Sequence, residues 1–226
     1  PSFLGNDEFH PMKGPMTTQS FRGMKGNGPM HWRGDRQAQT RSAGETLEEQ
    51  SFEDFIVAFP GLLGRATPLT DQEMDAFAKY ALELTYPPNP VMNLDNSLTA
   101  QLEQAYDVYN NKRTDGTITC NGCHRIDPVN GNFGTDGTMT IEGAGVEEDM
   151  KIPHLRNVYE RVGMFGYNSL FRGPGQIGDQ IRGFGYDNMG SAGTVSIFLD
   201  SPTFNLTAAE LVQVEALAIA APSEMN

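Results

Sequence analysis

Both cysteines of the chain fall within one five-residue stretch, Cys120-Asn121-Gly122-Cys123-His124. A structural disulfide elsewhere is therefore excluded, and so is a four-cysteine zinc or iron–sulfur site. The spacing is C-x-x-C-H, which is the attachment pattern of a covalent haem. Two thiols on one turn can add across the two vinyl groups, and an imidazole beside them can reach the iron. Other readings of the same residues are a thioredoxin-like redox pair and half of a zinc site. The first expects a βαβ context that the sequence does not show. The second needs two more close ligands, and the nearest other histidine is His154. The expected cofactor is thus one covalent haem c on Cys120 and Cys123, with His124 as the proximal ligand.

The remaining composition narrows the function class. The chain has 226 residues, enough for one large domain or two small ones. It carries 16 basic against 29 acidic residues, a net charge of −13. Such a surface repels the phosphates of nucleic acid and is compatible with a basic redox partner protein. No apolar run approaches the length of a membrane span. The first residues, PSFLGNDEF, hold neither a basic nor an apolar signal region, and the chain starts without Met. A processed product or a piece of a longer polypeptide is expected. Haem attachment to C-x-x-C-H takes place outside the bacterial cytoplasm, so the expected compartment is periplasmic or extracellular.

Four segments show a helical period. Phe52, Phe55, Ile56 and Phe59 form the first, with Pro60-Gly61 as its stop. The second opens on the capping box Thr70-Asp71-Gln72-Glu73, continues through Met74, Phe77, Ala78, Ala81 and Leu82, and is closed by Pro87-Pro88. Leu102, Ala105, Tyr106 and Tyr109 mark the third, ending before Asp115-Gly116. The fourth opens on a second capping box, Thr207 to Glu210, and runs through Leu211, Val214, Leu217 and Ala218 to Pro222. Strands are expected only as one short hairpin within residues 130–145. Glycine recurs every few residues between Gly163 and Gly193, which predicts long loops.

Pro87-Pro88-Asn89-Pro90 reads as a domain boundary. Short words on its two sides repeat. Phe21-Arg22-Gly23, Gly28-Pro29-Met30 and Leu69-Thr70 precede it; Leu155-Arg156-Asn157, Val162-Gly163-Met164 and Leu206-Thr207 follow, displaced by 134 to 137 residues. This pattern predicts a duplicated domain whose first copy lacks its front. The expected division is a partial half-domain over 1–94, without its own haem motif, and a complete domain over 95–226.

The second half resembles the di-haem cytochrome c peroxidase family. The likeness rests on a tyrosine-bearing helix, CNGCH, MKIPHLRNVYERVGMFG, QIRGFGYDNMGS and a capped last helix, in that order. It covers roughly Ser97 to Ala221. The resemblance implies a mainly α fold, a cytochrome c-like domain docked to a partial duplicate of itself. It departs from the family in holding one attachment site, and in showing Asn188-Met189-Gly190 where the family has H-D-G. The expected function is single-electron transfer. Its alternatives are the C-terminal portion of a peroxide-reducing oxidoreductase, whose missing upstream haem domain would be a partner, and a haem-bearing module of an extracellular assembly.

Further site residues follow. Met164, between Gly163 and Gly166, is the expected sixth iron ligand, with Met189 as alternative and Met139, Met150 and His154 as rivals. Pro128 is expected to offer its backbone carbonyl to His124, and Arg156 to bind a haem propionate. Trp32 is read as a packing residue near the junction of the halves.

Overall fold

The computed structural model describes residues 18–38, 44–142, 148–161, 186, 188 and 192–224. In the first half, α1 (Leu47–Glu53) starts at Thr46, whose side chain accepts the Glu49 N–H while the Glu49 carboxylate accepts the Thr46 N–H. A 3₁₀ turn over Asp54–Val57 and the short α2 (Ala58–Gly61) follow. The single helix expected through Phe52 to Phe59 is therefore broken into three pieces. Pro60 offers no N–H to the Ile56 carbonyl and crowds it, so the preceding turn tightens. α3 (Asp71–Leu82) has the predicted capping box at Thr70 and Glu73. It ends at Leu82, well before Pro87.

The second half begins with α4 (Ala100–Asn111), capped by the Thr99 hydroxyl. β1 (Arg113–Asp115) and β2 (Ile118–Thr119) lead into α5 (Cys120–Cys123). β3 (Ile126–Asp127), β4 (Asn132–Phe133), β5 (Met139–Glu142) and β6 (Glu148–Lys151) follow, then α6 (Val158–Arg161), α7 (Val195–Leu199) and α8 (Ala208–Ile219). The strands pair as β1–β2, β3–β4 and β5–β6, each an antiparallel ribbon of two. The architecture is thus helical with small ribbons. The hairpin expected within 130–145 does not form as such. Residues 132–133 pair backwards with 126–127, and β5 pairs forwards with β6.

Apolar residues gather in two clusters. Met30, Phe52, Met74, Ala78, Ala81 and Leu82 join α1 to α3. Leu102, Ala105 and Tyr109 of α4 meet Val195 and Leu199 of α7 and Val214, Leu217 and Ala218 of α8. Polar contacts tie the halves together. Asn89 Nδ2 donates to the Ile219 and Ala221 carbonyls, each at 2.8 Å, and Ser223 Oγ donates to the Pro87 carbonyl at 2.8 Å. Lys151 Nζ donates to the Pro29 carbonyl at 2.7 Å, and its backbone N–H to the Trp32 carbonyl at 2.6 Å. Burial at this junction brings the Lys151 ammonium down to about 8.

The two ends of the α4–α8 pair are joined by Lys112 Nζ and Glu210 Oε2 at 2.6 Å. Lys112, then the Thr207 N–H and hydroxyl, bring the Glu210 carboxyl down to about 2 from its ordinary 4.5. Between those values the unfolded chain binds a proton that the folded chain does not. Stability should therefore fall as the pH drops from about 4.5 towards 2. Glu210→Gln keeps the cap acceptor and should flatten that part of the profile. Urea midpoints across this range check it; an unchanged slope in the variant refutes the assignment.

Candidate functional site

The CNGCH segment is held by short-range and long-range bonds. Thr119 Oγ1 caps the turn of α5 by accepting the Gly122 N–H at 3.1 Å. Asn121 Oδ1 accepts the Ile126 N–H at 3.0 Å, which pulls β3 back under the turn. The Tyr109 hydroxyl of α4 donates to the His124 carbonyl. Gly122 has no side chain to strike Ile118, whose Cγ2 stands 2.7 Å from where a Cβ would be.

Cys120 and Cys123 are both free thiols and partly buried. Thr114 Oγ1 lies 3.3 Å from Cys120 Sγ. Burial pushes both thiols above the ordinary cysteine range, against the smaller opposite pull of Thr114 on Cys120. A thioredoxin-like pair works with a lowered thiol pKa, so this environment is unlike one. Among the described residues, no group of three or more His, Cys, Asp and Glu side chains gathers where it could hold a metal ion.

The imidazole of His124 is oriented through one nitrogen. Its Nδ1 lies 3.0 Å from the Pro153 carbonyl oxygen and 3.1 Å from the Gly134 carbonyl oxygen. Both partners can only accept, so Nδ1 carries the proton and Nε2 keeps its lone pair. Loss of water around the ring lowers its pKa below the ordinary histidine range, more than the two carbonyls raise it. The ring is held by its Nδ1 edge with the Nε2 lone pair left over, the arrangement that a metal-binding imidazole requires. Two thiols and this imidazole, carried by one turn, fit a covalently held haem.

Pro128 does not take the expected role. Its carbonyl accepts the Gly131 N–H at 3.1 Å and closes the turn between β3 and β4. The carbonyls that orient His124 come from residues farther along the chain, where β4 and the segment after β6 meet. Arg156 also departs from expectation. Its Nη1 donates to the Gly23 carbonyl at 2.7 Å and its Nε lies 3.0 Å from Glu224 Oε1. Its guanidinium covers the Phe133 ring at 4.6 Å from the centroid. The side chain is thus committed to the junction of the two halves. That junction holds a cleft of about 240 Å³ beside Gly23, Leu82, Asn130 and Phe133.

His154 is not set up as a ligand. Its Nδ1 accepts the Arg156 N–H at 3.3 Å, which places any single proton on Nε2, and its ring packs edge-on against Tyr86 at 5.1 Å. Burial, then the nearby Arg156, Lys151 and Arg161 cations, keep it neutral. Met150 is buried, with its sulfur 3.8 Å from Arg33 Nη1. Met164 and Met189 lie outside the described residues. Trp32 is buried and contributes its carbonyl to the Lys151 contact. The sequence does not single out Gly134, Pro153 or Thr119 as supports of His124, and it shows Tyr109 only as part of a helix face. Thr119, immediately before the motif, has the residue type of a cap; Gly134 and Pro153 act through backbone carbonyls, and Tyr109 through its hydroxyl, across distances that no spacing rule announces.

No protein-family model matches the chain, and no curated protein matches it. A solved chain of hydrazine synthase from Kuenenia stuttgartiensis, pressurised with 20 bar xenon, superposes with a TM-score of 0.59. The two are 15% identical over 91% of this chain and 72% of that one. At that identity the likeness concerns the fold, and the fold of this chain is of the same kind.

Proposed function

We propose that this chain is a c-type cytochrome module that carries single electrons through one covalent haem. The observation that supports it best is the state of His124, neutral and protonated on Nδ1, beside the chain's two free thiols. Cys120 and Cys123 would hold the group as thioethers, and His124 Nε2 would ligate its iron. When bound, the haem supplies a one-electron ferric–ferrous couple. The residues around it keep the imidazole fixed: Pro153 and Gly134 accept its N–H, Tyr109 anchors its backbone, and Thr119 holds the turn that spaces the thiols. Met164 is our choice for the sixth ligand, with Met189 second; a thioether there would close the iron to exogenous ligands. The acidic surface suits a basic redox partner, and maturation outside the bacterial cytoplasm follows from the motif.

The resemblance carried by MKIPHLRNVYERVGMFG favours a second reading, the C-terminal portion of a peroxide-reducing oxidoreductase. Two measurements decide. The haem should survive acid–acetone extraction and give a c-type pyridine haemochrome at one haem per chain. Cys120→Ala combined with Cys123→Ala should abolish covalent retention. Extractable haem, or zinc in its place, overturns the proposal. In a steady-state assay with hydrogen peroxide and a reduced cytochrome, turnover should be poor; brisk turnover transfers the assignment to the second reading.

A further inference from the structure

α3 and α8 occupy matching places in the repeated sequence, with capping boxes at Thr70 and Thr207. Each packs against short helices of its own half, α3 against α1, and α8 against α7 and α6. The difference is one long helix, α4. α4 lies along α8, while no described helix lies along the same side of α3.

The α8 residues turned towards α4 form one stripe. Glu210 takes Lys112, Gln213 lines a groove with Gln104 and Asp107, and Val214 and Leu217 join the cluster of Leu102, Ala105 and Tyr109. These positions are spaced i, i+3, i+4 and i+7. Their counterparts on α3 are Glu73, Ala76, Phe77 and Tyr80, with the same spacing. Val214 and Leu217 are 3% and 2% exposed, whereas Phe77 and Tyr80 are 37% and 64% exposed. The pattern repeats at the charged end. The Glu210 side chain is 23% exposed under Lys112, and the Glu73 side chain is 50% exposed with Arg65 only at 3.9 Å. Phe77 touches Phe52 and Phe59 along one edge and leaves the rest of its ring open. Two open aromatics beside an acid bonded only at its own helix cap, with its cation at 3.9 Å, are an unusual choice for a plain solvent face.

We propose that the Glu73, Ala76, Phe77, Tyr80 face of α3 is a docking surface for an amphipathic helix of a partner protein. The internal template specifies that helix. It is about three turns long, apolar at i, i+3 and i+7, and bears a Lys or Arg at i+10, as Leu102, Ala105, Tyr109 and Lys112 do. The basic residue meets Glu73, and the apolar stripe covers Phe77 and Tyr80. The surface stands whether or not the second half carries haem.

The probe is a labelled synthetic peptide of residues 97–113, titrated by fluorescence anisotropy into the full chain. Saturable binding is expected. Tyr80→Asp in the protein, or Tyr109→Asp in the peptide, should weaken it by about tenfold or more. Tyr80 is exposed, so its variant should melt like the parent; Ala76→Glu serves as a second disruption, and Val212→Asp, on the open side of α8, should leave binding unchanged. Absence of saturation, or binding indifferent to Tyr80→Asp and Ala76→Glu, overturns the proposal. Light scattering gives the remaining outcome: a dimer of the parent chain that Tyr80→Asp dissolves would make a second copy the occupant and overturn the partner helix.

Discussion

Arg156→Ala should lower the stability of the fold by about 3–5 kcal/mol, the usual cost of leaving one partner of a buried ion pair alone. Arg156 is 1% exposed. Its guanidinium is held from three directions: the Glu224 carboxylate, the Gly23 carbonyl and the face of Phe133. Removing it strands the Glu224 charge and the Gly23 carbonyl together and opens a void beside Phe133. The two halves should loosen as well, since Gly23 and Glu224 lie 201 residues apart in sequence and meet through this side chain. The Gly23 position is fitted to it: a Cβ there would run into Arg156 Nη1 and come within 2.8 Å of Tyr86 Cε2. Urea unfolding of parent, Arg156→Ala, Glu224→Gln and the double variant measures the coupling. A loss below about 1 kcal/mol for Arg156→Ala would show that the pair is replaced by water without consequence.

Gly134→Ala should be nearly as damaging, and it should act on the site. Gly134 has φ +90°, a conformation side chains rarely adopt. A Cβ would strike Leu155 Cγ and approach the Leu155 N–H nitrogen to 2.7 Å. Positive φ costs about 1–2 kcal/mol and overpacking about 1–3 kcal/mol, so a loss of roughly 2–5 kcal/mol is expected. The same residue accepts from His124 Nδ1, and Leu155 bonds back to the Phe133 carbonyl at 2.8 Å. Displacing this crossing should tilt the imidazole. In the haem-loaded protein the variant should show an altered Soret band and midpoint potential, which a change of stability alone would not produce. Adding Leu155→Ala should recover little, because the residue 155 nitrogen at 2.7 Å and Cβ at 2.8 Å remain in the way when Cγ is gone. A Gly134→Ala protein with unaltered melting and potential would refute this account of how His124 is held.

What could be seen in the bare sequence is whatever a few adjacent residues decide. Thr70 with Glu73 and Thr207 with Glu210 announce helix starts because cap and acceptor are three residues apart. CNGCH announces paired thiols and an imidazole because one turn holds all three. The 3.6-residue period placed α3, α4 and α8, whose buried faces are regular. The same rule failed on α1 to α2, where a proline at the end of the run tightens the turn before it. It also missed the ribbons, whose strands are two to four residues long and too short to show alternation. Pairings between distant segments needed the tertiary structure. Pro128 is the nearest proline to His124, but its carbonyl is spent on closing a turn, and His124 is oriented from Gly134 and Pro153 instead. Arg156 carries the charge a propionate would want, yet its depth beside Gly23 and Glu224 commits it to the junction. The capped helices α3 and α8 share a starting pattern, yet Phe77 and Tyr80 are open where Val214 and Leu217 are covered by α4, and a pattern in sequence carries no information about which neighbours are present in space.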